Sequence, residues 1–375
     1  MPAPSSYVLW IATLGAACSD SSDAPVDASA SVDATGDAAI DAPAACASLG
    51  VTWEPVGDAP ILGDGTCPGW HCAGVADPAL ARAPDGSLVL WFTTVGVIAD
   101  GNGGFVAKMN IGRATGADAE HPVLALSPDH EVLSSPTTEA RWDRHAETVS
   151  VAHDAASSRW MMWYLGYREP GFVGAAIGQM QSLDANGTSW TRPAAPIYQP
   201  TPGGWDSALV TGPTGLRGPD GVWRVYYSGV GLGGAGVGLL MSTDGVTFTP
   251  AANPVFPSGG ATAWDETVLE QTVRYAHGKY WMLYSAYVGP LDMKTTSIAI
   301  GLATSIDGVT WERHPANPVL RPGLAGTWND LRVLAPDLVI EPDGSFLLAA
   351  YGQSTTDPTS DQPGRTALWR SRCPN

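Results

Sequence analysis

A Trp-Asp pair recurs along this chain at near-constant spacing. It appears as Trp142-Asp143, Trp205-Asp206 and Trp264-Asp265, with a variant at Trp328-Asn329-Asp330, at intervals of 63, 59 and 64 residues. Self-similarity at such a period marks a fold assembled from stacked copies of one supersecondary unit. After each copy come an apolar run, a turn and an aromatic-rich run; a first copy lacking its Trp-Asp occupies 79–94. The turns hold Asp85-Gly86, Asp220-Gly221, His277-Gly278 and Asp343-Gly344, which read as hairpins between β-rich runs. A second element, Ser242 to Phe248 and Ser305 to Trp311, follows later in the unit, with a looser copy at 182–190 and Asn-Pro-Val after two of them, at Asn253 and Asn317. Each unit thus supplies about four strands. Five such units predict an all-β, five-bladed propeller of four-stranded blades; a β-sandwich array would not need such regular copies.

Composition supports this reading. Gly (44) and Pro (31) together make one residue in five, and each costs roughly 1–3 kcal/mol inside a helix, so long helices have no room. The 15 Trp and 11 Tyr argue against a disordered chain and are expected to fill the core between blades. The net charge of −18 repels phosphate backbones and excludes nucleic acid as a partner.

The charge is uneven. From Met1 to Ala81 there are ten acidic residues and no Lys or Arg. Tyr7 to Ala17 is an apolar run of signal-peptide length, too short to span a bilayer as a helix, and Leu14-Gly15-Ala16-Ala17-Cys18 resembles a bacterial lipoprotein cleavage box. Two readings stay open: a lipid anchor on Cys18 at the bacterial cell envelope, or a plain secretory signal. The Asp, Ala and Ser of 19–45 cannot bury enough apolar surface to offset chain entropy and read as a disordered tether. The expected organisation is a signal segment at 1–18, a linker at 19–45 and the propeller at 46–375. If Cys18 carries lipid, Cys46, Cys67, Cys72 and Cys373 remain, an even number in an oxidising compartment. Cys67 and Cys72 bracket a short turn that can close on itself, and Cys46 and Cys373 sit at the two ends of the globular region. A metal site is the rival reading, without a second CxxC-type pair to support it.

In a propeller the innermost strands open around a central cavity. Aligning the copies on their turns places five positions at that entrance: Asp77, Glu147, Gly212 or Pro213, Glu270, and Pro336 or Asp337. Carboxylates at the mouth of one cavity suit acid/base chemistry, because close like charges push pKa values apart. Each has a plainer reading beside the catalytic one: Asp77 as a turn cap before Pro78, Glu147 as the ion-pair partner of Arg144 or Arg141. Trp70 is a candidate sugar platform, Arg82 is the only Arg on the first inner strand, and His277 reads as a turn residue. The Gly-rich stretch from Gly231 to Gly238 lacks the Lys and the following helix of a phosphate loop. No metal cluster stands out, and no cofactor is expected.

Val75-Ala76-Asp77-Pro78-Ala79-Leu80 resembles the Ala-Asp-Pro motif that opens the first blade of family-43 glycoside hydrolases. These are arabinanases, arabinofuranosidases and xylosidases on a five-bladed propeller, related to the invertase and levansucrase families. The resemblance implies that Asp77 is the general base, or the nucleophile if the invertase branch applies. It also places Leu269-Glu270-Gln271 where the fourth-blade general acid is expected, and propellers of this kind sometimes hold a cation on the axis. As architecture it covers about 50–375; its catalytic motifs are a few residues each. The family's third-blade Asp, which tunes the acid and holds the sugar, falls at Thr211-Gly212-Pro213, where no carboxylate stands. Glu147, Asp337 or Asp206 then has to supply it, or the chain no longer hydrolyses. The leading expectation is a secreted or lipid-anchored, monomeric glycoside hydrolase, inverting, with a carbohydrate substrate held by Trp70, Asp337, Arg82 and Asp206. The alternative is a non-catalytic glycan-binding propeller. A phosphorylase would need basic groups in the cavity, for which Arg82 is the one candidate.

Overall fold

The computed structural model describes residues 48–57, 60–62, 75–99, 105–116, 125–126, 141–155, 157–169, 171–292, 294–355 and 364–373. They form no helix and five antiparallel sheets, the blades of one ring. Blade 1 is Val75–Arg82, Leu88–Ala99, Phe105–Gly116 and Ala125–Leu126. Blade 2 is His145–Asp154, Arg159–Tyr167, Ala176–Ser182 and Trp190–Thr191. Blade 3 is Leu209–Arg217, Trp223–Gly231, Gly234–Ser242 and Thr249–Pro250, with Phe256–Pro257 also pairing its third strand. Blade 4 is Thr267–Ala276, Lys279–Tyr287, Ala299–Ser305 and Glu312–Arg313. Blade 5 is Arg332–Ile340, Phe346–Gln353 and Arg365–Ser371, and takes its outermost strand, Glu54–Val56, from the other end of the chain. Glu54 stands opposite Arg370, and the Gly50 amide donates to Ser371 Oγ at 2.7 Å. Strand pairing between the two chain ends closes the ring.

The core is five layers, one between each pair of neighbouring blades. Trp91 and Trp160 meet at 5.0 Å between blades 1 and 2, Trp163 and Tyr227 lie between blades 2 and 3, and Tyr226 and Tyr284 between blades 3 and 4. Trp281 meets Phe346 edge-on at 5.0 Å between blades 4 and 5, and Leu90 meets Leu347 between blades 1 and 5. Both faces of every blade are therefore buried, which is why each copy needs so many aromatic side chains.

The repeated residues hold the blades rather than a ligand. Asp143, Asp206 and Asp265 are buried, and each accepts from a second-strand tyrosine: Tyr164 at 2.9 Å, Tyr227 at 3.0 Å, Tyr284 at 3.5 Å. Asn253 and Asn317 donate to the hydroxyls of Tyr227 and Tyr284 at 3.3 and 3.1 Å, locking the Asn-Pro-Val segments onto the same hubs. The partner Trp of each pair lies on bare backbone; a Cβ at Gly229 would stand 2.3 Å from the Trp205 ring. Asp307 Oδ1 accepts from the amides of Val309 and Thr310, both at 2.7 Å, so the Ser-x-Asp-Gly element is a self-capped turn.

Candidate active site

Each innermost strand carries a β-bulge near its start. The register slips between Ala76 and Ala79, Glu147 and Ser150, Thr211 and Thr214, Leu269 and Thr272, and Leu334 and Asp337. At every bulge one residue takes positive φ: Asp77 (46°), Thr148 (49°), Gly212 (52°), Glu270 (50°) and Ala335 (49°). That conformation costs a residue with a Cβ roughly 1–2 kcal/mol. Neighbouring blades hold it in place. The bulge amides of Thr148, Glu270 and Ala335 donate to Thr93 Oγ1 at 2.9 Å, Ser228 Oγ at 2.8 Å and Ser285 Oγ at 2.8 Å of the preceding blade. The Gly212 amide reaches Thr148 Oγ1 at 3.2 Å. All five bulge residues line one axial cavity of about 30 Å³, room for one or two waters and no sugar.

The true entrance positions in blades 2 and 5 are thus Thr148 and Ala335. Counting from the turns points to Glu147, which is not among the cavity-lining residues, and to Pro336 or Asp337, which line the cavity next to the Ala335 bulge. The turns differ in length, two residues in blade 4 and four in blade 2, and a bulge sets two residues opposite one, so a count from the turn drifts. Only Asp77 and Glu270 are carboxylates at the positive-φ position of a bulge. Blade 3 has none, and a Cβ on Gly212 would already lie 3.2 Å from Glu270 Cα.

Asp77 and Glu270 occupy equivalent niches. Each carboxyl faces a hydroxyl of its own second strand and the bulge amide of the next blade. Asp77 is pushed up to about 6 by burial, against hydrogen bonds from the Thr93 hydroxyl and the Thr148 amide. Glu270 is pushed up to about 8 by burial and then by the Asp77 charge, against the Ser285 hydroxyl and the Ala335 amide. Glu147, buried at the start of the blade-2 bulge, is raised well above the usual range by burial, then by the charges of Asp77 and Glu270, while a hydrogen bond from Tyr167 opposes the rise. Tyr167 stacks on His145 at 4.9 Å and 6°. Near neutral pH the bulge pair therefore carries its negative charge on Asp77, with Glu270 holding a proton, and Glu147 is pushed toward its protonated form.

Of the other expected site residues, Asp337 lines the same cavity, whereas Arg82 and Asp206 lie elsewhere. Arg82 sits at the far end of its strand, pairing with Glu341 at 2.5 Å across to blade 5; the cavity offers a phosphate no Arg82. Asp206 is fully buried, its oxygens taken by Tyr198 (2.7 Å), Tyr227 (3.0 Å) and the Thr201 amide (3.1 Å). Asp337 is buried beside the axis but holds three blades together, through Arg274 at 2.6 Å, Thr272 at 2.7 Å and the Leu80 amide at 2.7 Å. None of the three is left to bind sugar or to replace the missing third-blade acid. Glu147 is the one close enough to feel the charges of both Asp77 and Glu270, and the alternative ion pair does not form: Arg144 meets Glu169 at 3.4 Å and Arg141 meets Asp143 at 3.0 Å. Cys18, Cys46, Cys67, Trp70 and Cys72 lie outside the described residues, and Cys373 is exposed after the last strand. Among the described residues no group of three or more His, Cys, Asp or Glu side chains is placed to hold a metal ion.

Sequence reasoning passed over Tyr167, Tyr351 and Arg332. Tyr351 is raised by burial and then by Asp77, with Glu270 adding to it and Arg332 opposing. Arg332 is a fully buried guanidinium three residues ahead of the Ala335 bulge. Tyrosines occur in four of the five second strands, so these two were indistinguishable from core residues until the bulges located the axis.

No protein-family model matches the chain, and no curated protein matches it. Solved structures do. The catalytic domain of the Coprinopsis cinerea GH62 α-L-arabinofuranosidase matches with a TM-score of 0.63 at 13% identity, over 86% of this chain and 97% of that one. An α-L-arabinofuranosidase from Podospora anserina, solved with cellotriose, matches at 0.61 and 14%, over 88% and 99%. An N-acetylgalactosamine deacetylase from F. plautii, solved with blood group B trisaccharide, matches at 0.55 and 18%, over 84% and 94%. The fold is shared with glycoside hydrolases. This agrees with the architecture that the Val75–Leu80 resemblance implied. An arabinofuranosidase and a deacetylase use the same propeller, so the chemistry has to be argued from the site.

Proposed function

We propose that this protein is a glycoside hydrolase in which Glu270 is the general acid and Asp77 the general base. The observation that carries the reading is the pair of equivalent bulge niches on one axis, each holding a buried carboxyl that lines the same small cavity, with Glu270 pushed higher than Asp77. Glu270 gives its proton to the glycosidic oxygen as the C–O bond breaks. Asp77 takes a proton from a water that attacks the anomeric carbon from the opposite face, which inverts the centre. The axial cavity has the size of that water, so the sugar ring lies above it, in the mouth. Glu147, raised by burial and bonded to Tyr167, stands in for the third-blade acid as a hydrogen-bonding partner for sugar hydroxyls. Arabinofuranosides and xylosides are the first substrates to try, given the resemblance and the two arabinofuranosidases of the same fold. The wider reading includes export, with a lipid on Cys18 or cleavage near it, and a Cys46–Cys373 disulfide across the seam.

The test is a glycan panel with the wild type, Asp77→Ala and Glu270→Gln. Each variant should lose roughly 10²–10⁴-fold in kcat/KM, and the first product anomer seen by NMR should be inverted. Hydrolysis undiminished in both variants sinks the assignment. Gly212 at the third-blade bulge favours one rival, a glycan-binding propeller without turnover. Sugar binding by a wild type that releases no reducing end from any substrate would establish that rival instead.

A further inference from the structure

The rim of the mouth is uneven. The second strands end and the third strands begin on this face, and the chain between them numbers five residues in blade 1, eight in blade 2, two in blade 3 and eleven in blades 4 and 5. Blade 1 gains height from its strands as well. Leu88–Ala99 and Phe105–Gly116 have 12 residues each, whereas both blade-3 strands joined by the short link have 9. Below the bulge the two blades match, Arg82 and Arg217 each lying opposite the first residue of its second strand. The extra three residues therefore all rise above the mouth, by about 10 Å at 3.3 Å per residue. Blade 3 is the low point. Its tip, Leu232, is 98% exposed, so nothing among the described residues folds over it. Val173 on blade 2 and Val288 on blade 4, half-exposed or more, flank the gap and make it an aliphatic sill on three consecutive blades.

The gap has a fixed relation to the chemistry. Asp77 belongs to the high wall, blade 1. Glu270 belongs to blade 4, immediately beside the gap. Because the acid protonates the leaving oxygen, the departing part of the substrate lies on the Glu270 side. We infer that the substrate is a glycan chain attacked from its end, with the released unit lodged against blade 1 and the remaining chain running out over Leu232-Gly233 of blade 3. This rests on the assignment of Glu270 as the acid. The short link serves specificity: it leaves a path for a leaving chain several sugars long, whose C–H faces pack on the aliphatic sill.

The probes are arabino- and xylo-oligosaccharides from the disaccharide to the hexasaccharide, with the matching nitrophenyl glycosides. In the wild type kcat/KM should rise with the length of the leaving chain, by about tenfold or more, since remote binding energy is drawn on in the transition state. Products should be single units released from one end. Replacing Leu232-Gly233 by the eight-residue link of blade 2 should abolish the length dependence while sparing the nitrophenyl glycoside. Leu232→Asp, which keeps the turn length, should reduce it in part. Affinities measured for the same series in Glu270→Gln report the gap without requiring turnover. Length-dependent affinity that the longer link removes, in a protein with no hydrolysis, would support the gap and overturn the hydrolase reading alone. Random internal cleavage by the wild type, no gain with chain length, or a gain unchanged in both Leu232 variants would overturn the proposal.

Discussion

At the residue scale, the two bulge carboxyls differ in charge state although their niches are alike. With Asp77 at about 6 and Glu270 at about 8, activity needs the first ionised and the second protonated. The rate should rise through about pH 6 and fall through about pH 8, the limbs reporting the coupled pair rather than either residue alone. A pH series of kcat/KM checks this. Glu147→Gln copies the protonated form and should leave both limbs in place; a shift of either limb by a full unit would mean that Glu147 is ionised in the working enzyme. Both raised values also tax stability. Between about pH 4 and pH 8 the folded chain holds protons that the unfolded chain has released, so stability falls as pH rises across that window and levels off above it. Asp77→Asn and Glu270→Gln should therefore raise the melting temperature by a few degrees at pH 8 and make little difference near pH 4. Thermal melts at the two pH values decide it, and equal effects at both would refute the coupling of charge to fold.

At the scale of the element, the Trp-Asp hub is what makes one blade a unit. Asp206 satisfies the Tyr227 hydroxyl of blade 3 together with the Tyr198 hydroxyl and the Thr201 amide of the segment leading into it, and removing it leaves the buried Tyr227 hydroxyl and the Thr201 amide without their acceptor. Asp206→Ala should cost about 2–4 kcal/mol in denaturant unfolding while leaving KM for a soluble glycoside unchanged. A raised KM with full stability would return Asp206 to the substrate, as the sequence had suggested. The bulges belong to the same scale. They recur in all five inner strands, and four of them draw their amide partner from a Ser or Thr of the neighbouring blade. The entrance geometry is thus a property of blade pairs rather than of any single strand.

At the scale of the molecule, the ring has one seam. Glu54–Val56 completes blade 5, and Ser371 Oγ accepts from the Gly50 amide, two residues before Cys373 in sequence. A Cys46–Cys373 disulfide would close a loop between positions 327 residues apart, for which chain entropy gives about 5–6 kcal/mol. Cys46→Ser with Cys373→Ser should lower the melting temperature by several degrees, and peptide mapping without reductant should recover Cys46 joined to Cys373. Cys46 joined to Cys67 or Cys72, or all four thiols free, would contradict this.

Blade number, strand count and the aromatic layers were legible in the sequence because each copy is a local unit whose hairpin and hub residues lie within about sixty positions of one another. The axial places of Asp77 and Glu270 were legible too, because each copy can be aligned with the others through its own hairpin. What only the tertiary structure decided was everything that crosses from blade to blade. Whether a buried carboxylate is free for chemistry depends on partners far away in the chain: Glu341 for Arg82, Arg274 and Leu80 for Asp337. The bulges shift register by an amount no turn count reveals, which moved the entrance in blade 2 from Glu147 to Thr148. The charge states of the axial carboxyls arise from burial and from each other, and burial exists only once five blades have closed into a ring.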